Sequence, residues 1–145
     1  MLELKKWDII SVKFGETTNR IDNQVFDKEQ ILNVAGINIR YEFSLLHMGV
    51  VITPSFLNRD NKILVIPITS FNPTKHNPDY INNFVLYKKY YRALKNDSVM
   101  LLNEIRSIDT LRITKKHDFH LKDIHKKIIK EKLYKMLINE GPTKG

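Results

Sequence analysis

The sequence predicts a mainly β domain that curves into a small barrel and ends in one amphipathic helix. Five or six short runs rich in β-branched and aromatic residues, separated by Gly, Pro, Asn and Asp, predict the strands. A change from alternating to helical hydrophobic spacing near residue 121 predicts the helix. Because the chain has 145 residues, enough for one modest core, we expect a single domain over residues 1–145.

Each predicted strand is bounded by residues that favour turns. Strands are expected at residues 7–14, 37–46, 48–56, 63–71, 81–87 and 97–102. The polar stretch "LNRDNK" predicts a hairpin between the third and fourth of them. Pro67 has no N–H group to donate, so we expect the fourth strand to leave the ladder there.

Two helices are expected. An extended segment, residues 15–46, follows the first strand, and within it Asp27 and Gly36 can cap the two ends of a short helix. In residues 121–139 apolar side chains recur at a spacing near three and a half, which predicts a helix with its lysines, Lys132 included, facing solvent. Its buried face is expected to carry Leu121, Ile124, Ile128, Leu133 and Leu137.

The composition favours an anionic partner. Twenty-four Lys and Arg against sixteen Asp and Glu give a net charge of +8, as in many small proteins that bind nucleic acid, although such charge could also serve solubility alone. The absence of cysteine excludes disulfides, thiolate metal sites and thiol catalysis. No stretch has the pattern of a signal peptide or a membrane span, so we expect a cytoplasmic protein.

Residues 97–113, "DSVMLLNEIRSIDTLRI", carry the most specific pattern. They resemble the segment D-S-V-V-L-L-D-Q-I-R-T-I-D-K-x-R-L of the MazF/PemK family of toxin ribonucleases. Weaker similarities occur in the same order. "WDIISVKF" looks like that family's opening G-D-I-x-x-V-x-F strand, "HMGVVIT" stands where it has R-P-V-L-V-I-S, and "ILVIPITS" looks like V-x-V-x-P-I-T-S.

The resemblance implies a dimeric SH3-like barrel, of the PemK/CcdB-like kind, that cleaves single-stranded RNA without a metal. The expected reaction is attack by the 2′-hydroxyl, which leaves 2′,3′-cyclic phosphate and 5′-hydroxyl ends. That reaction needs a proton acceptor, a stabiliser of the phosphorane charge and an acid for the leaving oxygen. We therefore expect a homodimer with no cofactor, neutralised by a protein antitoxin, with an RNA antitoxin as the alternative.

Two residues are expected to carry the chemistry. His47 stands in the place of the family's catalytic arginine and, unlike arginine, can both accept and donate a proton near neutral pH. The family's catalytic threonine maps onto Thr69, and the neighbouring Ser70 could help to hold a phosphate. Without the resemblance, a histidine such as His47 is more often simply hydrogen-bonded at a strand end, and residues such as Thr69 and Ser70 more often form an ordinary turn.

Four further residues are expected to bind RNA. Arg106 offers a bidentate contact to phosphate, or else an ion pair with a neighbouring aspartate. Asn103 and Glu104 stand where the family has an acid and a glutamine that help to read bases. Arg40, in the extended segment, could approach the phosphates.

Two other interpretations stay open. His117, His120 and His125 have a spacing that could hold a metal, but no thiol or firmly placed carboxylate completes the set, so we expect no metal site. Replacement of the family's arginine by His47 and of its acid by Asn103 leaves room for a non-catalytic toxin. In that case the same barrel would bind RNA or a protein target.

Overall fold

The computed structural model describes residues 3–14, 20–21, 24–25, 46–54 and 61–140. The helix predicted at residues 27–36 lies outside these ranges, as does Arg40. The strand predicted at residues 37–46 does too, apart from its last residue. The strands are β1 (Ile9–Lys13), β2 (Arg20–Ile21), β3 (Gln24–Val25), β4 (Leu46–Val51), β5 (Lys62–Ser70), β6 (Asn83–Leu86), β7 (Ser98–Leu101), β8 (Arg106–Asp109) and β9 (Ile113–Lys116), and the helix is α1 (Asp123–Leu137). Short 3₁₀ turns at Leu102–Glu104 and Thr110–Arg112 precede β8 and β9.

Seven strands form one antiparallel sheet. Their order is β6-β7-β5-β4-β1-β9, with β8 beside β5, while β2 and β3 pair separately. The predicted mainly β class with one C-terminal helix is therefore confirmed. Within the described ranges, β6 and β9 at the two ends of the order do not pair, so the ladder is open there and does not show the predicted closure.

Strand β5 pairs with three strands, because β7 and β8 share one of its edges and β4 pairs with the other. Strand β8 pairs with its first half, from Lys62 to Val65, and β7 pairs with its second half, from Ile68 to Ser70. The 3₁₀ turn at Leu102–Glu104 joins β7 to β8. Strands β7 and β8 therefore run along one edge of β5 like a single long strand that is interrupted in the middle.

The prediction that Pro67 ends its strand is wrong. Pro67 is buried within β5 and stands opposite Gly49 of β4. The carbonyl of Leu64 faces β4, where it accepts the N–H of Ile52 at 3.0 Å. Because backbone groups alternate between the two edges of a strand, the nitrogen of Pro67 faces the other edge, at the gap between β8 and β7. No ladder hydrogen bond is lost there, so proline is tolerated.

The buried residues form two hydrophobic clusters on the two sides of the sheet. Alternation divides neighbours between them: Ile9 belongs to the larger cluster and Ile10 to the smaller. The larger cluster receives Leu121 and Ile129 from the C-terminal region, while the smaller is built around Phe14. The helix thus covers one side only.

The buried face of α1 differs in part from the predicted one. Ile129 is fully buried, whereas Ile124 and Leu137, both predicted to be buried, are each 61% exposed. Lys132, predicted to face solvent, is half-buried, and its Nζ donates to the carbonyl of Asn83 at 2.8 Å because this side of α1 faces β6. No helix among the described residues is both long and apolar enough to cross a membrane.

Candidate functional site

Strands β4 and β5 separate at one end of the sheet. Their ladder ends at the pair formed by Met48 and Ile68. The next residue of β4, His47, pairs with β1, and the next residue of β5, Thr69, pairs with β7. The sheet therefore opens between His47 and Thr69.

A groove with a volume of about 390 Å³ lies at this opening. It brings together three of the residues predicted from the sequence, namely His47, Thr69 and Ser70. The remaining polar residues that line it are Ser11, Lys95, Asn96, Ser98 and His117. None of the described lining residues is acidic. The groove therefore offers hydroxyls, an amide, imidazoles and one ammonium group, a set of donors that suits a phosphodiester.

His47 is half-buried in this groove. Burial disfavours the charged imidazolium and lowers the pKa of His47 from its usual 6.5. The side chain is therefore mostly neutral at neutral pH. A neutral imidazole can accept a proton, but it does not supply the permanent positive charge of an arginine.

Arg106 lies in a second groove, with a volume of about 330 Å³. Its guanidinium carbon is 5.7 Å from the centroid of the Phe14 ring, and its Nη1 donates to the carbonyl of Phe14 at 3.4 Å. Lys62 and Arg112 also line this groove. Among the described residues the two grooves share no lining residue, and Arg106 does not line the groove that contains His47 and Thr69.

Solved structures with a similar fold are bacterial MazF toxins. A crystal structure of MazF from Deinococcus radiodurans aligns with a TM-score of 0.61 and 15% identity, over 94% of this chain and 98% of that one. A MazE-MazF structure from the same organism gives 0.59 and 14%, over 94% and 97%. Mycobacterium tuberculosis toxin MazF-mt6 gives 0.51 and 12%, over 64% and 87%. Identities this low establish similarity of fold alone.

The sequence profile of the PemK-like, MazF-like toxins of type II toxin-antitoxin systems matches residues 38–137. The chain belongs to this family. The match contains His47, Thr69, Arg106 and the whole of α1, and it begins after β1 and most of the extended segment. No curated protein sequence matches the chain.

His117 is a second histidine of the groove in this PemK-like toxin. It follows β9, its N–H donates to the carbonyl of Ile9 at 2.8 Å, and its Nε2 is hydrogen-bonded to Ser11 Oγ at 2.8 Å. Burial and the charge of Lys115 lower its pKa, and Asp118 opposes them. Only the pairing of β9 with β1, which joins distant parts of the chain, places His117 here, so no local sequence signal could have identified it.

The three histidines whose spacing could hold a metal, His117, His120 and His125, lie in separate parts of the fold. His125 Nδ1 is 2.6 Å from the hydroxyl of Tyr91 and lies on α1, while His120 is exposed in the loop that precedes it. In the part of the chain that the structure describes, no three His, Asp or Glu side chains come together as a metal site.

Asn103 and Glu104 lie at the far end of β7 from the groove. They belong to the 3₁₀ turn at Leu102–Glu104, where Asn103 is exposed and Glu104 is half-buried. Ser98, at the other end of β7, lines the His47 groove. At about 3.3 Å per strand residue, Asn103 is more than about 10 Å from Ser98. Asn103 and Glu104 directly precede β8, which begins at Arg106.

Proposed function

We propose that this toxin is an endoribonuclease that cleaves single-stranded RNA without a metal ion. The 2′-hydroxyl attacks the adjacent phosphorus, so that the products carry 2′,3′-cyclic phosphate and 5′-hydroxyl ends. The observation that supports this most strongly is the opening between β4 and β5, where His47, Thr69 and Ser70 line one groove whose described lining residues include no carboxylate. Family membership supports the same class of activity.

In this proposal His47 removes the proton of the attacking 2′-hydroxyl, the bond between phosphorus and the 5′-oxygen breaks, and the departing 5′-oxygen takes a proton from water. A general base works best with a pKa near the operating pH, and the lowered pKa of His47 leaves it neutral and ready to accept a proton. Thr69 and Ser70 donate hydrogen bonds to the phosphorane oxygens as negative charge develops on them. Lys95, which lines the same groove, supplies the positive charge that a neutral histidine lacks.

The assembly belongs to the same proposal. The fold is that of solved MazF toxins, and one of those structures is of MazE together with MazF. We therefore propose a cytoplasmic homodimer with an SH3-like barrel, neutralised by a protein antitoxin. Arg106, Asn103 and Glu104 would contact RNA away from the scissile phosphate.

The test is cleavage of a mixed-sequence, end-labelled single-stranded RNA in EDTA. We expect discrete products with cyclic phosphate ends, abolished by His47→Ala and by Thr69→Ala. The matched controls are His120→Ala and Thr114→Ala, which replace exposed residues of the same types outside the groove, and both should cleave normally. Cleavage that requires a divalent metal, or that leaves 3′-hydroxyl ends, would contradict the proposal.

A non-catalytic module is the second candidate. It is favoured by one observation, the neutral histidine at the position of the family's catalytic arginine. RNA that stays intact in the same assay but migrates more slowly on a gel would support an RNA-binding module. Toxicity in cells that survives both His47→Ala and Thr69→Ala would likewise point to binding rather than cleavage.

A further inference from the structure

A basic and aromatic segment adjoins the His47 groove. Residues 87–95, "YKKYYRALK", contain four cations, three tyrosines and no carboxylate. Together with Lys122, at the start of α1, this segment presents the tyrosine–lysine surface, which we define as Tyr87, Lys89, Tyr90 and Lys122. Nothing in the proposed cleavage reaction uses these four side chains.

Both tyrosine rings of this surface are accessible. Tyr87 is 37% exposed and Tyr90 is 47% exposed. The Nζ of Lys89 lies 5.5 Å from the Tyr87 ring centroid and 5.0 Å from that of Tyr90, and the Nζ of Lys122 lies 5.7 Å from the Tyr90 centroid. Rings and ammonium groups are thus interleaved, as on surfaces that bind single-stranded nucleic acid.

The tyrosine–lysine surface is held in place by the fold. Tyr91 and Leu94, in the same segment, are only 4% and 3% exposed. The hydroxyl of Tyr91 accepts the N–H of Lys122 at 2.9 Å, and the N–H of Tyr90 donates to the carbonyl of Tyr87 at 3.0 Å. Because these contacts fix the backbone in advance, a ligand would not have to order the segment on binding.

The same segment forms one wall of the His47 groove. Ala93, Leu94, Lys95 and Asn96 line that groove, directly after the tyrosines in sequence. Lys88 links the two parts, because its Nζ donates to the carbonyl of Lys95 at 3.2 Å. A strand of RNA that leaves the groove over this wall would therefore meet the tyrosine–lysine surface next.

We propose that the tyrosine–lysine surface is a stacking subsite for unpaired bases of single-stranded RNA next to the scissile phosphate. Tyr87 and Tyr90 stack on the bases, while Lys89 and Lys122 contact the flanking phosphates. The choice of RNA as the ligand rests on the proposed function. Stacking on tyrosine tolerates any base, so this subsite contributes affinity and register rather than sequence preference.

The test measures binding separately from cleavage. The probe is a fluorescein-labelled, mixed-sequence 12-mer with 2′-O-methyl riboses, which cannot be cleaved, and its Kd is measured by fluorescence anisotropy in EDTA. The double variant Tyr87→Ala/Tyr90→Ala should bind at least about tenfold more weakly, because the loss of even one of the two base–tyrosine stacks weakens binding by about that factor. The double variant Tyr87→Phe/Tyr90→Phe keeps the rings and should bind normally.

Two further variants separate the subsite from general surface effects. Tyr134 on α1 is 58% exposed and lies outside the segment, so Tyr134→Ala should leave the Kd unchanged. Lys89→Gln should reduce the slope of log Kd against log salt concentration by roughly 0.7, the value for one phosphate contact on a single strand.

The outcomes distinguish the subsite from the nuclease. If the wild-type protein cleaves all-ribose RNA and the folded alanine double variant binds the probe equally well, the subsite is wrong and the nuclease stands. If the wild-type protein binds but does not cleave, and the alanine variant binds more weakly, the subsite is supported and the nuclease proposal fails. If the wild-type protein neither binds nor cleaves, both are overturned.

Discussion

The ionisation of His47 predicts the pH dependence of the proposed cleavage. A group with the ordinary histidine pKa of about 6.5 is already about three-quarters neutral at pH 7, and burial leaves His47 more neutral still. If His47 is the general base, the rate should rise roughly tenfold per pH unit below its pKa. It should then level off before about pH 7, because the base is already deprotonated there.

Variants at His47 test this assignment directly. His47→Gln keeps most of the size of the side chain but cannot take up a proton, so kcat should fall by about 10²- to 10⁴-fold, the usual contribution of a general base. His47→Arg restores the family's permanent cation, and its pH profile should lose the acidic limb that protonation of His47 produces. The assay is cleavage of a fluorogenic single-stranded RNA in EDTA from about pH 4.5 to pH 8.

Two results would refute the reasoning. A wild-type rate that falls between about pH 5 and pH 7 would mean that the protonated imidazole is needed, as a cation or an acid rather than a base. A limb that persists in His47→Gln would mean that another group titrates. His117 is the first alternative, because it lines the same groove and its pKa is also lowered. His117→Gln would then remove the limb.

Three further predictions concern stability and are checked by urea unfolding. Gly49→Ala should lower the free energy of unfolding by about 1–3 kcal/mol, because the added Cβ would overlap Cγ1 of Val65 inside the core. Ile129→Ala should cost about 2–5 kcal/mol since this side chain is fully buried, whereas Ile124→Ala, 61% exposed on the same helix, should stay within about 0.5 kcal/mol. Ser11→Ala should cost about 1 kcal/mol for its lost hydrogen bond to the groove histidine, and an unchanged midpoint would show that the bond contributes nothing.

The fold class could be predicted because β1, β5 and α1 carry strong local patterns. Strands β8 and β9 were missed, since 3₁₀ turns interrupt residues 102–112 and leave only four residues in each strand. Pro67 was misinterpreted because its tolerance depends on a gap between two partner strands, which a local rule for proline cannot include. The exposure of Ile124 and Leu137 likewise depends on which side of α1 meets the sheet.

The candidate site was predicted in part. A family motif pointed to His47, Thr69 and Ser70, and the structure places all three in one groove. Their proximity arises from the end of the β4–β5 ladder, which depends on pairing between distant strands. The same is true of His117, which reaches Ser11 across 106 residues of sequence. Long-range register of this kind leaves no signal in a single sequence.

In the proposed nuclease, the residues that would position RNA differ from those that would carry out its cleavage. Along the chain, Tyr87, Lys89 and Tyr90 precede the wall of the His47 groove, and β7 then leads to Arg106, which lines the second groove. Basic residues thus occur in the chain both before and after the residues of this wall, whereas Lys95 is the one Lys or Arg among the described residues that line the His47 groove. Substitutions at Lys89 or Arg106 should therefore change KM and its salt dependence, while substitutions at His47 should change kcat. A large loss of kcat at Arg106 with KM unchanged would instead place the guanidinium against the reacting phosphate, and within a homodimer this would require the partner to supply it.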